Sequence, residues 1–210
     1  MLRRLSILCA TFVITAFTAN AQASEPETHD GFYFSAAVGA GYLSSSVDDD
    51  FAGTSDPSLS GFGFAAMLLF GGTPAPGLVV GGGSMGGHFP TPEVEQGGAK
   101  FDSQDDLALS LTGAFVDYYF NPKSGFHALG MLGFAALSPG GDADLATGWG
   151  AALGVGHDWF VSEEWSLGVM GRLQYLSTSV EQSFVTNRQV NYTATYTTLV
   201  PALTFNVVYH

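Results

Sequence analysis

Large apolar residues alternate with small or polar residues along most of the chain after about residue 31. Side chains that repeat every second residue share one face of a β-strand, so this period predicts strands rather than helices. The clearest examples are the segments 32–42, 62–70, 149–155 and 165–175. In each of them one face is largely apolar, and the other face carries mostly glycine, alanine or polar side chains.

The direction of this alternation indicates a membrane protein. A soluble β-sandwich turns its large apolar side chains inward, whereas a transmembrane barrel turns them outward to lipid. After residue 23 no run of about 18 apolar residues predicts a transmembrane helix. Strands can cross lipid only in a closed barrel, because every backbone donor and acceptor must be paired there. The small inward residues leave room for a pore, whereas a barrel of eight strands usually leaves no open aqueous channel.

The links between the alternating segments predict the number of strands. Short links with turn-forming residues alternate with longer polar links, and seven links join eight strands. We therefore predict an all-β fold, an eight-stranded antiparallel up-and-down transmembrane β-barrel, with short periplasmic turns and long extracellular loops. Both termini are then periplasmic. The predicted short links are 72–77, 121–124 and 161–164, and the long ones are 44–58, 86–104, 138–147 and 177–194.

The first 23 residues have the pattern of a secretory signal. Arg3 and Arg4 precede an apolar segment, residues 5–17, and Ala21 and Ala23 suit a cleavage site. We predict a cleaved signal peptide over 1–23, with cleavage after residue 21 as the alternative, and an outer-membrane barrel over 24–210. The single cysteine, Cys9, belongs to the signal, so the mature chain contains none.

Aromatic residues support this arrangement, because amphipathic rings prefer the two edges of the apolar slab. One group falls near the predicted periplasmic strand ends and a second group near the outer ends. The first group is Phe32, Phe34, Phe70, residues 118–120, Phe126, Trp159, Phe160, Trp165 and Tyr209, and the second is Tyr42, Phe62, Trp149, Tyr175 and Tyr196.

Composition and charge narrow the function classes. Charged residues make up 12% of the chain, against about 25% in ordinary soluble domains. Only six Lys and Arg face nineteen Asp and Glu, and there is no basic patch, so nucleic acid is not an expected partner. Many acids fall in predicted loops, where they either form a solvated surface or contact divalent cations. The candidates for such a loop contact are Asp48, Asp49, Asp50 and Asp56.

Four polar residues on strands are predicted to face the lumen: Arg172, Gln174, Asp158 and Asp117. A charge inside a barrel needs a partner, so Arg172 is expected to pair with one of the two carboxylates and plug the lumen. The alternative is that Arg172 tunes a small pore or its gate.

No catalytic, metal or cofactor site is predicted. The histidine and acid closest in sequence are His157 and Asp158, but neighbouring strand residues face opposite sides and cannot act as a pair. No arrangement of His and Ser suits a lipid hydrolase.

The segments 31–43 and 150–175 resemble small outer-membrane β-barrels of the OmpA, OmpX and OmpW type. The last strand resembles their C-terminal assembly signal through Leu203, Phe205, Val207 and Tyr209, although that signal usually ends on Phe and here His210 follows. The resemblance implies an outer-membrane location, contact with membrane lipids and lipopolysaccharide, and insertion by the barrel-assembly machinery. For function it implies a structural or surface-interaction role through acidic loops, a narrow channel for small or apolar solutes as in the OmpW-like proteins, or a lipid-modifying enzyme.

Overall fold

The structure is a computed structural model that describes residues 31–49, 57–121, 124–140, 144–185 and 189–210. The predicted signal peptide lies outside these residues. Within the described part of the chain, no helix is long and apolar enough to cross a membrane.

Ten strands follow one another along the chain, and eight of them form a closed antiparallel barrel. The barrel order is β1, β2, β3, β6, β7, β8, β9, β10, and β1 closes the ring by pairing with both β2 and β10. At the closure Phe34 lies opposite Phe70 on one side and Tyr209 on the other. The predicted eight-stranded barrel is confirmed. The strands are β1 (Gly31–Asp49), β2 (Ser58–Ala75), β3 (Leu78–Phe89), β4 (Glu93–Gln96), β5 (Ala99–Asp102), β6 (Leu107–Tyr119), β7 (Phe126–Ser138), β8 (Ala146–Phe160), β9 (Trp165–Val185) and β10 (Gln189–Tyr209).

The two ends of the barrel differ. We call the end with the links 76–77, 120–125 and 161–164 the turn end, and the opposite end the loop end. At the loop end β4 and β5 form a hairpin that turns through Gly97 and Gly98, both with positive φ, and β4 pairs with the start of β2. This hairpin lies inside the segment 86–104, which was predicted to be a loop.

The prediction of a loop at 177–194 was wrong, because β9 and β10 remain hydrogen-bonded to each other through this segment. The alternation continues there as well: Thr178 and Val180 are buried, whereas Ser179 is exposed. Likewise β1 runs on to Asp49 through the start of the predicted loop 44–58. The loop predictions rested on the polar residues of these segments. Threonine is β-branched, however, and β-branched residues favour a strand when one face of the strand is buried.

The outer surface of the barrel is apolar. Phe62, Leu153 and Phe205 are 76%, 71% and 68% exposed, as a lipid-facing surface requires. Aromatic rings meet at both ends, with Tyr42 against Phe62 at the loop end and Trp165 against Tyr209 at the turn end. Two rings that the sequence assigned to these bands point inward instead, since Tyr119 is fully buried and Tyr196 packs against interior residues.

The barrel interior is filled with large side chains, which corrects the expectation of a small or polar interior with room for a pore. The segments on which that expectation rested lie on β1, β2, β8 and β9. On β6 and β7, by contrast, the large side chains of Leu111, Phe115 and Met131 point inward and fill the space beside the glycines of the other strands. Two apolar clusters result. The turn-end cluster is Tyr33, Ala37, Met67, Leu69, Val79, Met85, Leu111, Phe115, Tyr119, Leu129, Met131, Ala152, Met170 and Val208, and the loop-end cluster is Leu43, Val47, Phe89, Leu107, Leu109, Ala135, Leu137, Ala146, Leu176, Val180, Ala194 and Val200.

Candidate functional site

The four predicted lumen residues all lie inside the barrel, but they form two separate groups. Arg172 and Gln174 sit on β9 near mid-barrel and are 4% and 0% exposed. Asp117 on β6 and Asp158 on β8 lie towards the turn end and are 0% and 2% exposed.

The expected ion pair between Arg172 and a carboxylate was wrong. Asp158 lies opposite Gly168 on β9, four residues nearer the turn end than Arg172. At about 3.3 Å per residue this is roughly 13 Å along the strand. Arg172 instead crosses the interior to the seam between β2 and β3, where its Nη2 donates to the carbonyls of Ala66 at 3.0 Å and Gly86 at 3.2 Å.

Small residues give the Arg172 side chain its room. Gly154 of β8 and Ala202 of β10 lie directly opposite Arg172 in the two neighbouring strands. A Cβ added at Gly154 would lie 3.0 Å from the sulfur of Met170 and 3.5 Å from the Cβ of Arg172. The long cation therefore occupies a level of the barrel that its neighbours leave open.

Most polar atoms at this level have no hydrogen-bond partner among the described residues. They are Nε and Nη1 of Arg172 and both amide atoms of Gln174. A buried donor or acceptor without a partner costs about 1–3 kcal/mol, so native proteins rarely leave several together without a reason.

The second group is built around a histidine that the sequence did not single out. His127 of β7 is 1% exposed and lies between the two carboxylates. Its Nδ1 is 2.8 Å from Oδ1 of Asp117, and its Nε2 is 3.6 Å from Oδ2 of Asp158. The sequence did point to both aspartates, and the three side chains together form what we call the Asp–His–Asp cluster.

Two tyrosines complete the surroundings of the Asp–His–Asp cluster. The hydroxyl of Tyr33 donates to Oδ2 of Asp117 at 3.3 Å, and that of Tyr119 donates to Oδ2 of Asp158 at 2.8 Å. The ring of Tyr119 also stacks on His127, with 4.8 Å between the ring centres. Each carboxylate therefore has one phenol donor and one contact with the imidazole.

Inward glycines make space for these side chains. A Cβ at Gly156 of β8 would run into Nε2 of His127, and a Cβ at Gly168 of β9 would run into Oδ1 of Asp158. Both glycines belong to strands whose parity was clear in the sequence. The parity of β7 was not clear, because its residues are apolar on both faces, and this is why His127 was missed.

The C-terminus lies over the turn end of the interior. The backbone N–H of His210 donates to the carbonyl of Glu164 at 2.9 Å, and its Nε2 is 2.9 Å from the hydroxyl of Ser166. Its ring lies against Tyr33 and Phe160, with ring centres 6.0 Å and 5.4 Å away. The outer face of the last strand carries the predicted assembly-signal residues: Leu203, Phe205 and Val207 are exposed there, and Tyr209 packs against Trp165. Recognition of these residues by the barrel-assembly machinery stays a prediction.

Neither His127 nor His157 is placed to act as a base for a hydroxyl nucleophile. Both ring nitrogens of His127 face carboxylates. His157 lies on the other face of β8 from Asp158, as expected, and its ring packs on Trp159 at 4.8 Å.

Acidic residues dominate the loop end. In the β4–β5 hairpin Lys100 bridges Glu93 at 2.8 Å and Glu95 at 3.5 Å, and the hydrogen bond that Lys100 donates to Glu93 raises the pKa of Lys100 above its usual value. Asp48 is exposed, whereas Asp50 and Asp56 lie outside the described residues and the side chain of Asp49 is not described. Within its described ranges the structure has no group of three or more His, Cys, Asp or Glu side chains that could hold a metal ion. The predicted loop cation contact stays a prediction.

Comparison with known proteins supports the fold. No protein-family model and no curated protein matches the chain. Among solved structures, the outer membrane protein OprG from Pseudomonas aeruginosa is 18% identical with a TM-score of 0.56, over 87% of this chain and 98% of OprG. The chain has the fold of a small outer-membrane β-barrel. AlkL in lipid bilayers is 13% identical (TM-score 0.49, 90% and 95% covered), and Neisserial surface protein A is 16% identical (TM-score 0.45, 85% and 96% covered).

At this level of identity the likeness extends to the fold of an outer-membrane barrel and carries no residue role across. The interior of this barrel therefore has to be interpreted from its own side chains. From the loop end to the turn end, these are the loop-end cluster, a level that holds Arg172 and Gln174, and the turn-end cluster with the Asp–His–Asp cluster among its residues.

Proposed function

We propose that the chain is an integral protein of a bacterial outer membrane that admits small apolar solutes into the loop end of its barrel. The observation that carries this proposal is the loop-end cluster, twelve apolar residues that face the interior. Outer-membrane barrels usually have a polar interior, and an apolar interior offers a solute the same environment as lipid.

The remaining interior favours a binding route over an open aqueous pore. Below the loop-end cluster Arg172 spans the lumen, and the turn-end cluster and the Asp–His–Asp cluster fill the rest. β3 is paired with β6 from Leu78 to Phe89 and with β2 from Val80 to His88, so the wall is closed on both sides of this strand. A solute would therefore enter by displacing and repacking side chains of the loop-end cluster. The proposal places the loop end outside the cell and both termini in the periplasm.

The test is methyl NMR of the protein in nanodiscs with labelled leucines, during a titration with 1-decanol. We expect saturable shifts at Leu43, Leu137 and Leu176, which face the interior. Outward Leu153 and Leu203 serve as controls, because they report only the partition of decanol into lipid. Substituting Leu137→Gln should weaken the saturable response, and Leu203→Gln should not. Shifts that stay linear at every leucine would contradict the proposal.

A structural or surface-interaction role is the second candidate. The filled interior favours it, since a scaffold needs no passage, and so does the acidic hairpin around Glu93, Glu95 and Asp102. Lipopolysaccharide with its bound divalent cations is the partner this surface suits. The distinguishing result is the absence of any saturable solute response, together with weaker retention of the hairpin variant Glu93→Gln on lipopolysaccharide-containing vesicles. Neither candidate involves catalysis.

A further inference from the structure

The level of Arg172 and Gln174 has the properties of a ligand site. It lies directly below the loop-end cluster: Leu176 is the next inward residue of β9 above Gln174, and Val200 lies opposite Gln174 on β10. On the other side Met170, the next inward residue below Arg172, belongs to the turn-end cluster. A polar level is thus enclosed between two apolar ones.

The side chain of Arg172 keeps donors free at this level. Nη2 is engaged by the carbonyls of Ala66 and Gly86, whereas Nε and Nη1 are buried and lack partners among the residues described. Nε and Nη1 lie on different edges of the guanidinium, and each can donate a charge-assisted hydrogen bond to a carboxylate oxygen. The amide of Gln174, also buried without a partner in the described chain, adds a donor on the side of the loop-end cluster.

The charges inside the barrel favour an anion here. The two buried carboxylates, Asp117 and Asp158, lie towards the turn end and make their contacts with His127 and the two tyrosines. No ion pair reaches Arg172 from the described residues, so its charge is left without a counter-charge in a low-dielectric interior. Burying a cation in that way is costly, and a bound anion would remove most of the cost.

We infer that the loop half of the barrel binds a single-chain amphiphile with a carboxylate head, such as a medium-chain fatty acid. Its carboxylate accepts a hydrogen bond from one of the unpartnered donors of Arg172 with Gln174 beside it, and its chain lies among the residues of the loop-end cluster. This inference rests on the proposed function and names its solute class. An uncharged solute would occupy the same cluster but leave the donors of Arg172 unsatisfied, so the site discriminates by charge.

Arginine NMR tests the inference directly. The full chain has four arginines, Arg3, Arg4, Arg172 and Arg188, and the first two lie in the predicted signal, so the Nε–H spectrum of the mature protein is simple. The signal of Arg172 is identified by its loss in R172K, and Arg188 is the internal control. The protein in nanodiscs is titrated with decanoate, at a pH where the acid is ionised, and separately with 1-decanol. Labelled leucines report the cluster in the same samples.

We expect decanoate to shift the Arg172 Nε–H signal saturably and to bind about tenfold more tightly than decanol, which is ~1.4 kcal/mol. R172M should abolish this preference while keeping the leucine response. Lys100→Met, which removes an exposed cation from the β4–β5 hairpin, should leave the preference unchanged.

The outcomes separate the two proposals. Equal leucine responses to both ligands with a silent Arg172 would overturn the carboxylate site and leave the apolar-solute function standing. No saturable leucine response to either ligand would overturn both. Because the wild-type protein alone gives the comparison between decanoate and decanol, the test does not depend on the folding of R172M.

Discussion

Removing the imidazole from the Asp–His–Asp cluster is the most direct test of what holds the turn end together. His127→Leu keeps a side chain of similar size but leaves Asp117 and Asp158 without the group between them. Asp117 then retains the hydroxyl of Tyr33 at 3.3 Å, and Asp158 retains that of Tyr119 at 2.8 Å. The imidazole contacts at 2.8 Å and 3.6 Å are lost.

The expected loss follows from the burial of the cluster. Removing one partner of a buried charged pair costs about 3–5 kcal/mol, because the other charge stays buried without compensation. The two tyrosine hydroxyls still offset part of this, so we expect about 3 kcal/mol. Leucine cannot stack on Tyr119 as the imidazole does, but it fills a similar volume, so the packing contribution is small by comparison.

Urea unfolding in lipid vesicles measures this loss, with the fluorescence of the outward-facing Trp149, Trp159 and Trp165 and the heat-dependent gel shift as probes. The matched control is His88→Leu, because His88 pairs with Asp106 at 3.3 Å while 54% exposed, where about 0–1 kcal/mol is expected. A loss below about 1 kcal/mol for His127→Leu would refute the reasoning, since a buried charged cluster cannot lose its centre so cheaply.

Three further predictions concern the glycines, the lipid face and the hairpin. Gly168→Ala places a methyl group against the carboxylate of Asp158 and should lower the free energy of unfolding by about 1–3 kcal/mol through overpacking. Gly171→Ala lies on the same strand with open space around it, so it should change that free energy by less than about 0.5 kcal/mol. Urea unfolding of both variants gives the comparison. Leu153→Arg, at an outward position 71% exposed, should cost about 2–4 kcal/mol in lipid vesicles if it faces the middle of the bilayer, and a cost near zero would place it outside the lipid. Glu93→Gln should lower the pKa of Lys100 towards its usual value in an NMR titration, because the hydrogen bond that Lys100 donates to Glu93 is the main cause that raises it. The pairing therefore stabilises the hairpin at neutral pH and is lost as pH rises through the raised pKa, and an unchanged pKa would contradict the pairing.

Much of the fold follows from period and link length. The alternation of apolar and small or polar residues in β1, β2, β8 and β9 showed which face of each strand points inward. The inward positions of Arg172 and Asp158 were predicted from this alternation alone. The strand count followed from alternating link lengths, because short turns restrict neighbouring strands to antiparallel pairing. The lengths of the strands at the loop end could not be predicted, because the polar and β-branched residues of 177–194 are compatible both with a loop and with paired strands that extend beyond the lipid.

The content of the interior could not be predicted in the same way. Parity says which residues point inward, but the partner of each depends on the stagger of the strands around the barrel. β7 lies between β6 and β8, and the stagger of these strands places His127 beside two aspartates that lie 41 residues apart in the sequence. The same stagger carries Arg172 away from those carboxylates and towards the carbonyls of Ala66 and Gly86.

The two polar levels of the interior differ in a way that bears on function. In the Asp–His–Asp cluster each carboxylate has a phenol donor and a contact with the imidazole, so the charges at this level face one another, although Nε2 of His127 and Oδ1 of Asp158 make no hydrogen bond within the described residues. This arrangement suits a closed turn end. At the level of Arg172 and Gln174, donors outnumber their acceptors among the described residues, and the cluster above offers apolar surroundings for a chain. A scaffold would gain stability from replacing Arg172 with a leucine that joins the two apolar clusters, because a buried unpaired cation is costly. If R172L is indeed more stable than the wild-type protein and loses its preference for decanoate, the arginine is kept for binding and not for the fold.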